Sequence, residues 1–210
     1  MDPLLQQFYG QVIPHSTLMS VLFEYSAPNY KIHRWLKDGQ LWSLKKGLYV
    51  VSPLHSNQLI SLPLVANHLY GPSYVSLEFA LFHYGIIPEQ PMQVTSSTTK
   101  RGKNYENKLG RFSYHKLPAE YYALGIENVK VNERIAYMIA SKEKALCDWL
   151  VLTPNLKIYS VTGLRTLLLE DMRMDKSILK NFDVEKIRLF STTKVKPERI
   201  NLLANLLETF

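Results

Sequence analysis

Few residues in this chain are spaced for covalent or metal chemistry. The six histidines, His15, His33, His55, His68, His83 and His115, form no HExxH and no pair four residues apart, the spacing that turns two imidazoles toward one metal ion. They read as ordinary core or surface histidines. Nine glycines supply neither GxGxxG nor GxxxxGKS/T, so no phosphate cradle is encoded. Ser141 to Lys144 spells S-x-x-K, but the companion motifs SDN and KTG are absent. Ser141 reads more simply as a helix N-cap, with Glu143 at the positive end of the helix dipole. Glu143, Lys144 and Asp148 follow along that helix, where carboxylates usually pair with a lysine one turn away and do not gather around a metal. The expectation is a protein without catalytic residues, cofactor or metal.

Binding chemistry is better represented. In SAPNYKIHRWLKDGQLWSLKKGLYVV, residues 26–51, Ser26 is a candidate N-cap and Pro28 a first-turn proline, so a helix starts near Ala27. Ile32, Trp35 and Leu36 fall on one stripe at helical spacing, and Gly39 stops the helix. The opposite face carries Tyr30, Arg34 and Lys37, flanked by Lys31, His33 and Asp38. Two β-prone runs, residues 41–44 and 48–51, are joined by Lys45-Lys46-Gly47, a tight-turn signal. The preceding stretch, residues 16–25, sets Leu18, Val21, Leu22 and Tyr25 on one face, giving a second short helix. Two helices followed by a basic hairpin predict a winged helix-turn-helix. Its candidate DNA contacts are Tyr30, Lys31, His33, Arg34, Lys37, Lys45 and Lys46. A generic helical cap with a hairpin would show the same pattern without touching DNA.

A second mixture of charge and rings lies in TSSTTKRGKNYENKLGRFSYHK, where Lys100, Arg101 and Lys103 precede Tyr105, Phe112 and Tyr114. Phosphate contact and base stacking use such side chains, so these three basic residues are candidates for a secondary nucleic-acid contact. A solvated hairpin with a flexible tip explains the same residues, because lysine and arginine favour exposed loops.

The elements that position these residues fit an α+β chain of 210 residues with a net charge of +7. A basic balance favours a polyanionic partner, and here it is spread along the chain. Ser52-Pro53 and the polar residues after it suggest a boundary near residue 55. A winged-helix domain over 1–55 would then precede a larger mixed α/β domain over 56–210 with a small sheet. Residues 1–11 read as a short helix. Residues 59–69, 76–84, 141–152, 161–172 and 197–207 also read as helices, and residues 93–99, 111–117 and 134–140 as strands. The single cysteine, Cys147, excludes an intramolecular disulfide and suits a reducing compartment. No basic region precedes an apolar run at the start, and no run reaches a membrane span, so a cytoplasmic protein with no membrane partner is expected.

The blocks ANHLYGPSYVSLEFALFHYGIIPE, VTSSTTKRGK, LGRFSYHKL and ASKEKALCDWL resemble the AbiEi-type antitoxins of bacterial type IV, or abortive-infection, toxin-antitoxin systems. The likeness runs from about Ser16 to about Glu170. Lys142 stands where that family usually has proline, and Cys147 where an aliphatic residue is commoner. The resemblance implies a winged helix that binds inverted repeats in the promoter of its own operon and represses it. It implies a second domain that counteracts a nucleotidyltransferase-like toxin encoded next door, without a stable complex, and it identifies no catalytic residue. Two alternatives stay open on the residues alone: a ligand-sensing regulator without a toxin, and a nucleic-acid-processing enzyme whose polar groups converge only in three dimensions.

Overall fold

The structure, a computed structural model, describes residues 1–133 and 135–210. A 3-10 turn over Pro3–Phe8 is capped by the Asp2 carboxylate, which accepts from the Leu4 amide at 3.1 Å. Strand β1 (Val12–Pro14), helices α1 (His15–Val21) and α2 (Pro28–Lys37), and the hairpin strands β2 (Leu41–Lys45) and β3 (Leu48–Val51) follow. These strands form an antiparallel sheet in the order β1-β3-β2. Helix α1 ends at Val21 rather than continuing to Tyr25, which is left exposed. Helix α2 has Ala27, not Ser26, at its cap position with no side-chain bond, because Pro28 itself removes one amide that would need a partner.

All four residues of β3 are buried, and successive side chains leave opposite faces. Tyr49 and Val51 join Leu5, Ile13, Leu18, Ile32 and Trp35 in a small core. Leu48 and Val50, with Leu44 of β2, belong to a larger core built mainly from residues beyond 60. The hairpin is therefore common to both.

The larger unit contains α3 (Pro53–Ser56), α4 (Leu62–Leu69), β4 (Ser73–Val75), α5 (Leu77–His83), β5 (Gln93–Thr98), β6 (Lys103–Asn107), β7 (Gly110–Lys116), α6 (Ala119–Tyr122), β8 (Ile126–Lys130) and β9 (Ala136–Ala140). It ends in α7 (Lys142–Leu152), α8 (Val161–Thr166), α9 (Lys176–Leu179), α10 (Val184–Ser191) and α11 (Pro197–Leu207). Its mixed sheet runs β6-β7-β5-β4-β9-β8. Three of these strands match the expected ones, except that Arg134 lies outside the described residues; β4, β6 and β8 widen the sheet. Both edge strands, β6 and β8, are polar and partly exposed, which hides them from a search for apolar runs. The chain is thus a mixed α/β protein, and no helix among the described residues is long and apolar enough to cross a membrane.

Parallel pairing of β5 with β7 sets Gln93, Thr95 and Ser97 beside Arg111, Ser113 and His115. That face lies against α5, where the Phe79 amide donates to Thr95 Oγ1 at 3.2 Å. On the reverse face, the Tyr114 hydroxyl donates to the Ala66 carbonyl of α4 at 2.6 Å.

Helix α7 carries Glu143, Lys144 and Asp148 into this core instead of onto a solvated surface. Lys144 Nζ lies 3.0 Å from Asp148 Oδ1, with neither side chain exposed. The ammonium faces Oδ1 as a charge pair, while its hydrogen bond goes to the Tyr121 carbonyl at 2.8 Å. Tyr74, Ser76 and Ser97 donate hydroxyl hydrogens to Asp148 Oδ2 at 2.8, 2.7 and 3.2 Å. Removing one member of a buried pair strands the other, at a cost of about 3–5 kcal/mol. Asp148→Leu should lose stability on about that scale in urea unfolding, and adding Lys144→Met should restore part of it. A double variant as unstable as the sum of the singles would show that the charge pair is not the cause.

Candidate nucleic-acid interface

One carboxylate sets the rotation of α2. Asp2 Oδ2 accepts from Lys31 Nζ at 2.6 Å and from the Trp35 indole at 3.1 Å, two groups one helical turn apart. The Asp2 amide in turn donates to Gln40 Oε1 at 2.8 Å, just past the helix. Partial burial pushes the Asp2 pKa up, but the bonds from Lys31, the Leu4 amide and Trp35 outweigh it and hold the group below 3.8. Lys31, a candidate DNA contact in the sequence, is thus turned toward Asp2 and the rings of Tyr25 and Trp35. Neither Asp2 nor Gln40 was singled out in the sequence. The only local signal was an aspartate before Pro3, an ordinary N-cap pattern.

With Ile32 and Trp35 buried, the face turned outward presents Tyr30, His33, Arg34 and Lys37, all exposed. They line a shallow depression of about 370 Å³ together with Asp38. Arg34 Nε lies 3.6 Å from Asp38 Oδ2, and both side chains are well exposed. Such a pair contributes little, so the guanidinium is free to exchange it for another acceptor.

The hairpin tip departs from expectation. Lys45 Nζ donates to the Leu69 carbonyl at 2.5 Å and lies 3.4 Å from that of His68. It satisfies carbonyls that the end of α4 leaves open, a favourable place for a cation. Lys45 therefore does not stand free for a phosphate; Lys46, at the exposed turn, does. Gly47, at φ +77, completes the turn, and its carbonyl accepts from the His15 amide at 2.8 Å. The hairpin also rests on the larger unit through Asn107 Nδ2 to the Leu44 carbonyl, 3.4 Å, and Lys108 over Trp42.

The second basic group adjoins the same end of α4. Lys100 donates to the Gly71 carbonyl at 2.6 Å and lies over the Tyr70 ring. Lys103 sits 4.7 Å from the Tyr105 ring centroid and 5.8 Å from that of Tyr70. The Tyr70 hydroxyl donates to the Arg101 carbonyl at 3.1 Å, leaving the exposed guanidinium of Arg101 outward. Phe112 and Tyr114 are buried, so of the three rings expected to stack on bases only Tyr105 is half-exposed. Among the described residues, no group of three His, Cys, Asp or Glu side chains is placed to hold a metal ion.

Comparison with protein-family models gives no match, and comparison with curated proteins gives no significant one. Among solved structures, the chain is similar to the crystal structure of the RV2827C protein from Mycobacterium tuberculosis. The two share 14% identity at a TM-score of 0.60, over 93% of this chain and 72% of that one. At that identity the likeness concerns the fold alone.

The depressed pKa of Asp2 gives its contacts a defined pH range. Their stabilisation is complete above about pH 5, where the unfolded carboxyl is also ionised, and is lost as pH falls through the folded pKa. In urea unfolding, Asp2→Asn should be less stable than the parent by a constant margin above about pH 5, narrowing toward pH 3. A margin that stays constant into acid would mean that the charge of Asp2 contributes nothing.

Proposed function

We propose that this protein is a DNA-binding antitoxin that represses its own operon through residues 1–55 and opposes a nucleotidyltransferase-like toxin through residues 56–210. The observation that carries the DNA reading is connectivity. A helical turn, a strand, two helices and a hairpin, with strand order β1-β3-β2, support reading residues 1–55 as a winged helix-turn-helix. The second helix of the pair, α2, then enters the major groove with Tyr30, His33, Arg34 and Lys37 outward. In this reading Lys46 and Arg101, both exposed, meet flanking phosphate, while Lys31 and Lys45 hold the helix and the hairpin in position.

The toxin half of the reading rests on the sequence resemblance. Its two most specific blocks, YGPSYVSLE and EKAL with the following aspartate, meet in the Tyr74–Ser76–Asp148 network. Those blocks therefore account for a shared core and assign no reaction to the protein. Co-expression with the adjacent nucleotidyltransferase-like gene tests this half: the chain should restore growth. Unrelieved toxicity, or the absence of such a neighbour, would favour a regulator without a toxin.

Salt titration of binding to duplex DNA from the operon's own promoter tests the other half. Deleting one lysine–phosphate pair should flatten the slope of log K against log salt by about 0.9. Lys46→Ala should remove about one such pair, and Lys45→Ala none. Arg34→Ala should erode discrimination at one or two base pairs by about 1–3 kcal/mol, whereas Lys37→Ala lowers affinity for all sequences alike. Equal losses on promoter and random DNA for Arg34→Ala would place base reading elsewhere.

A further inference from the structure

The face of β5 and β7 turned toward α5 and α7 is not fully covered. A cavity of about 240 Å³ remains there, lined by Glu78, Gln93, Thr95, His115, Trp149 and Thr153 among others. It shares Glu78, Gln93 and Thr95 with a wider chamber of about 490 Å³ bordered by Ile87, Pro91 and Met92. We propose that this cleft binds an organic cation, a guanidinium or primary ammonium group, borne by a small molecule or by an arginine or lysine side chain of a partner. The site is separate from the DNA face.

Glu78 carries the argument. Its Oε1 accepts the Trp149 indole hydrogen at 3.1 Å, which fixes the carboxylate beside the indole ring. Among the described residues no lysine or arginine pairs with it, in a chain whose net charge is +7. The indole engages Oε1 and no cation among the described residues is paired with the carboxylate, so the group retains acceptor capacity for a charge-assisted bond. Carboxylate and indole together form a recognition set for guanidinium or ammonium, through charge-assisted hydrogen bonds and the ring quadrupole.

The other lining groups do not compete. Burial lowers the His115 pKa despite the nearby charge of Glu78, so the imidazole stays neutral at pH 7 and offers a hydrogen-bond acceptor. Thr95 is already engaged, donating to the Ser76 carbonyl at 2.6 Å and accepting from the Phe79 amide. Of the two cavities Arg111 borders only the wide one, in an exposed pair with Glu106, and Glu89 there is paired with Arg173. Leu77, a non-glycine residue at φ +54, makes the abrupt turn from β4 into α5 that places Glu78 at the cleft.

The test uses the ¹⁵N-labelled full chain without DNA, following the indole resonance that Trp149→Phe removes. Methylguanidinium represents a free cation, N-acetylarginine methylamide a peptide-borne one, and N-acetylcitrulline methylamide the neutral isostere. Both guanidinium probes should shift the Trp149 resonance, and the citrulline derivative should not. Tighter binding of methylguanidinium points to a small-molecule ligand, and tighter binding of the arginine derivative to a partner side chain. Glu78→Gln keeps an acceptor for Trp149 and should weaken both by about tenfold while spectral dispersion is retained. Binding unchanged by Glu78→Gln, equal binding of the neutral isostere, or no shift with either guanidinium would overturn the proposal. Because no DNA is present, such a failure would leave the repressor reading untouched.

Discussion

Asp148 ties the larger unit together. Tyr74 and Ser76 reach it from β4 and the turn that follows, Ser97 reaches it from β5, and Lys144 holds the charge from within α7 itself. A buried ion pair is a poor source of net stability, because desolvation offsets most of its attraction. It constrains geometry instead: three hydroxyls meet one carboxylate oxygen only when β4 and β5 are in register and α7 is in one rotation. Hydrophobic packing alone would tolerate a helix slid or turned by a residue far better. Asp2 has the corresponding role in the small unit, part-buried against α2 with Lys31 and Trp35 as its donors.

Much of this was legible in the chain. Pro197 followed by Ile200, Leu203, Ala204 and Leu207 at helical spacing marks α11 to the residue, and the stripe of Ile32 and Trp35 gives the buried side of α2. What could not be read was where long polar side chains end. Lys31 and Lys45 look like surface cations in a linear pattern, since nothing local indicates that Asp2 or the carbonyls of α4 lie within reach. Period and propensity report which face an element turns, not what docks on it. The same limit hid the Glu78–Trp149 cleft, whose lining residues come from two helices and two strands.

The formal charge of +7 therefore overstates the charge available to a polyanion. Lys31, Lys45 and Lys100 hold carboxylate or carbonyl oxygens of the protein itself, and Lys144 is sealed in the core. Among the candidate nucleic-acid contacts, the exposed basic groups not bonded to a carbonyl are fewer and sit on two surfaces: the outward side of α2, and the region where the hairpin turn approaches the loop before β6. That spacing matters more for orienting a duplex than the total does, because long-range attraction is screened within about 10 Å in 0.1 M salt.

The hairpin shared by two cores also has a consequence for synthesis. When residues 1–55 leave the ribosome, Leu44, Leu48 and Val50 have only one another, Val12 and Trp42 as apolar partners, because the rest of the cluster that covers them is built from residue 60 onward. The early chain thus displays an apolar strip on a three-stranded sheet, the kind of surface that holdase chaperones retain and that invites self-association. Domains usually finish folding in the order they emerge. Here the first unit is complete only when the second has closed over its sheet, so a chain truncated near residue 55 would carry α1 and α2 on a sheet that stays adhesive.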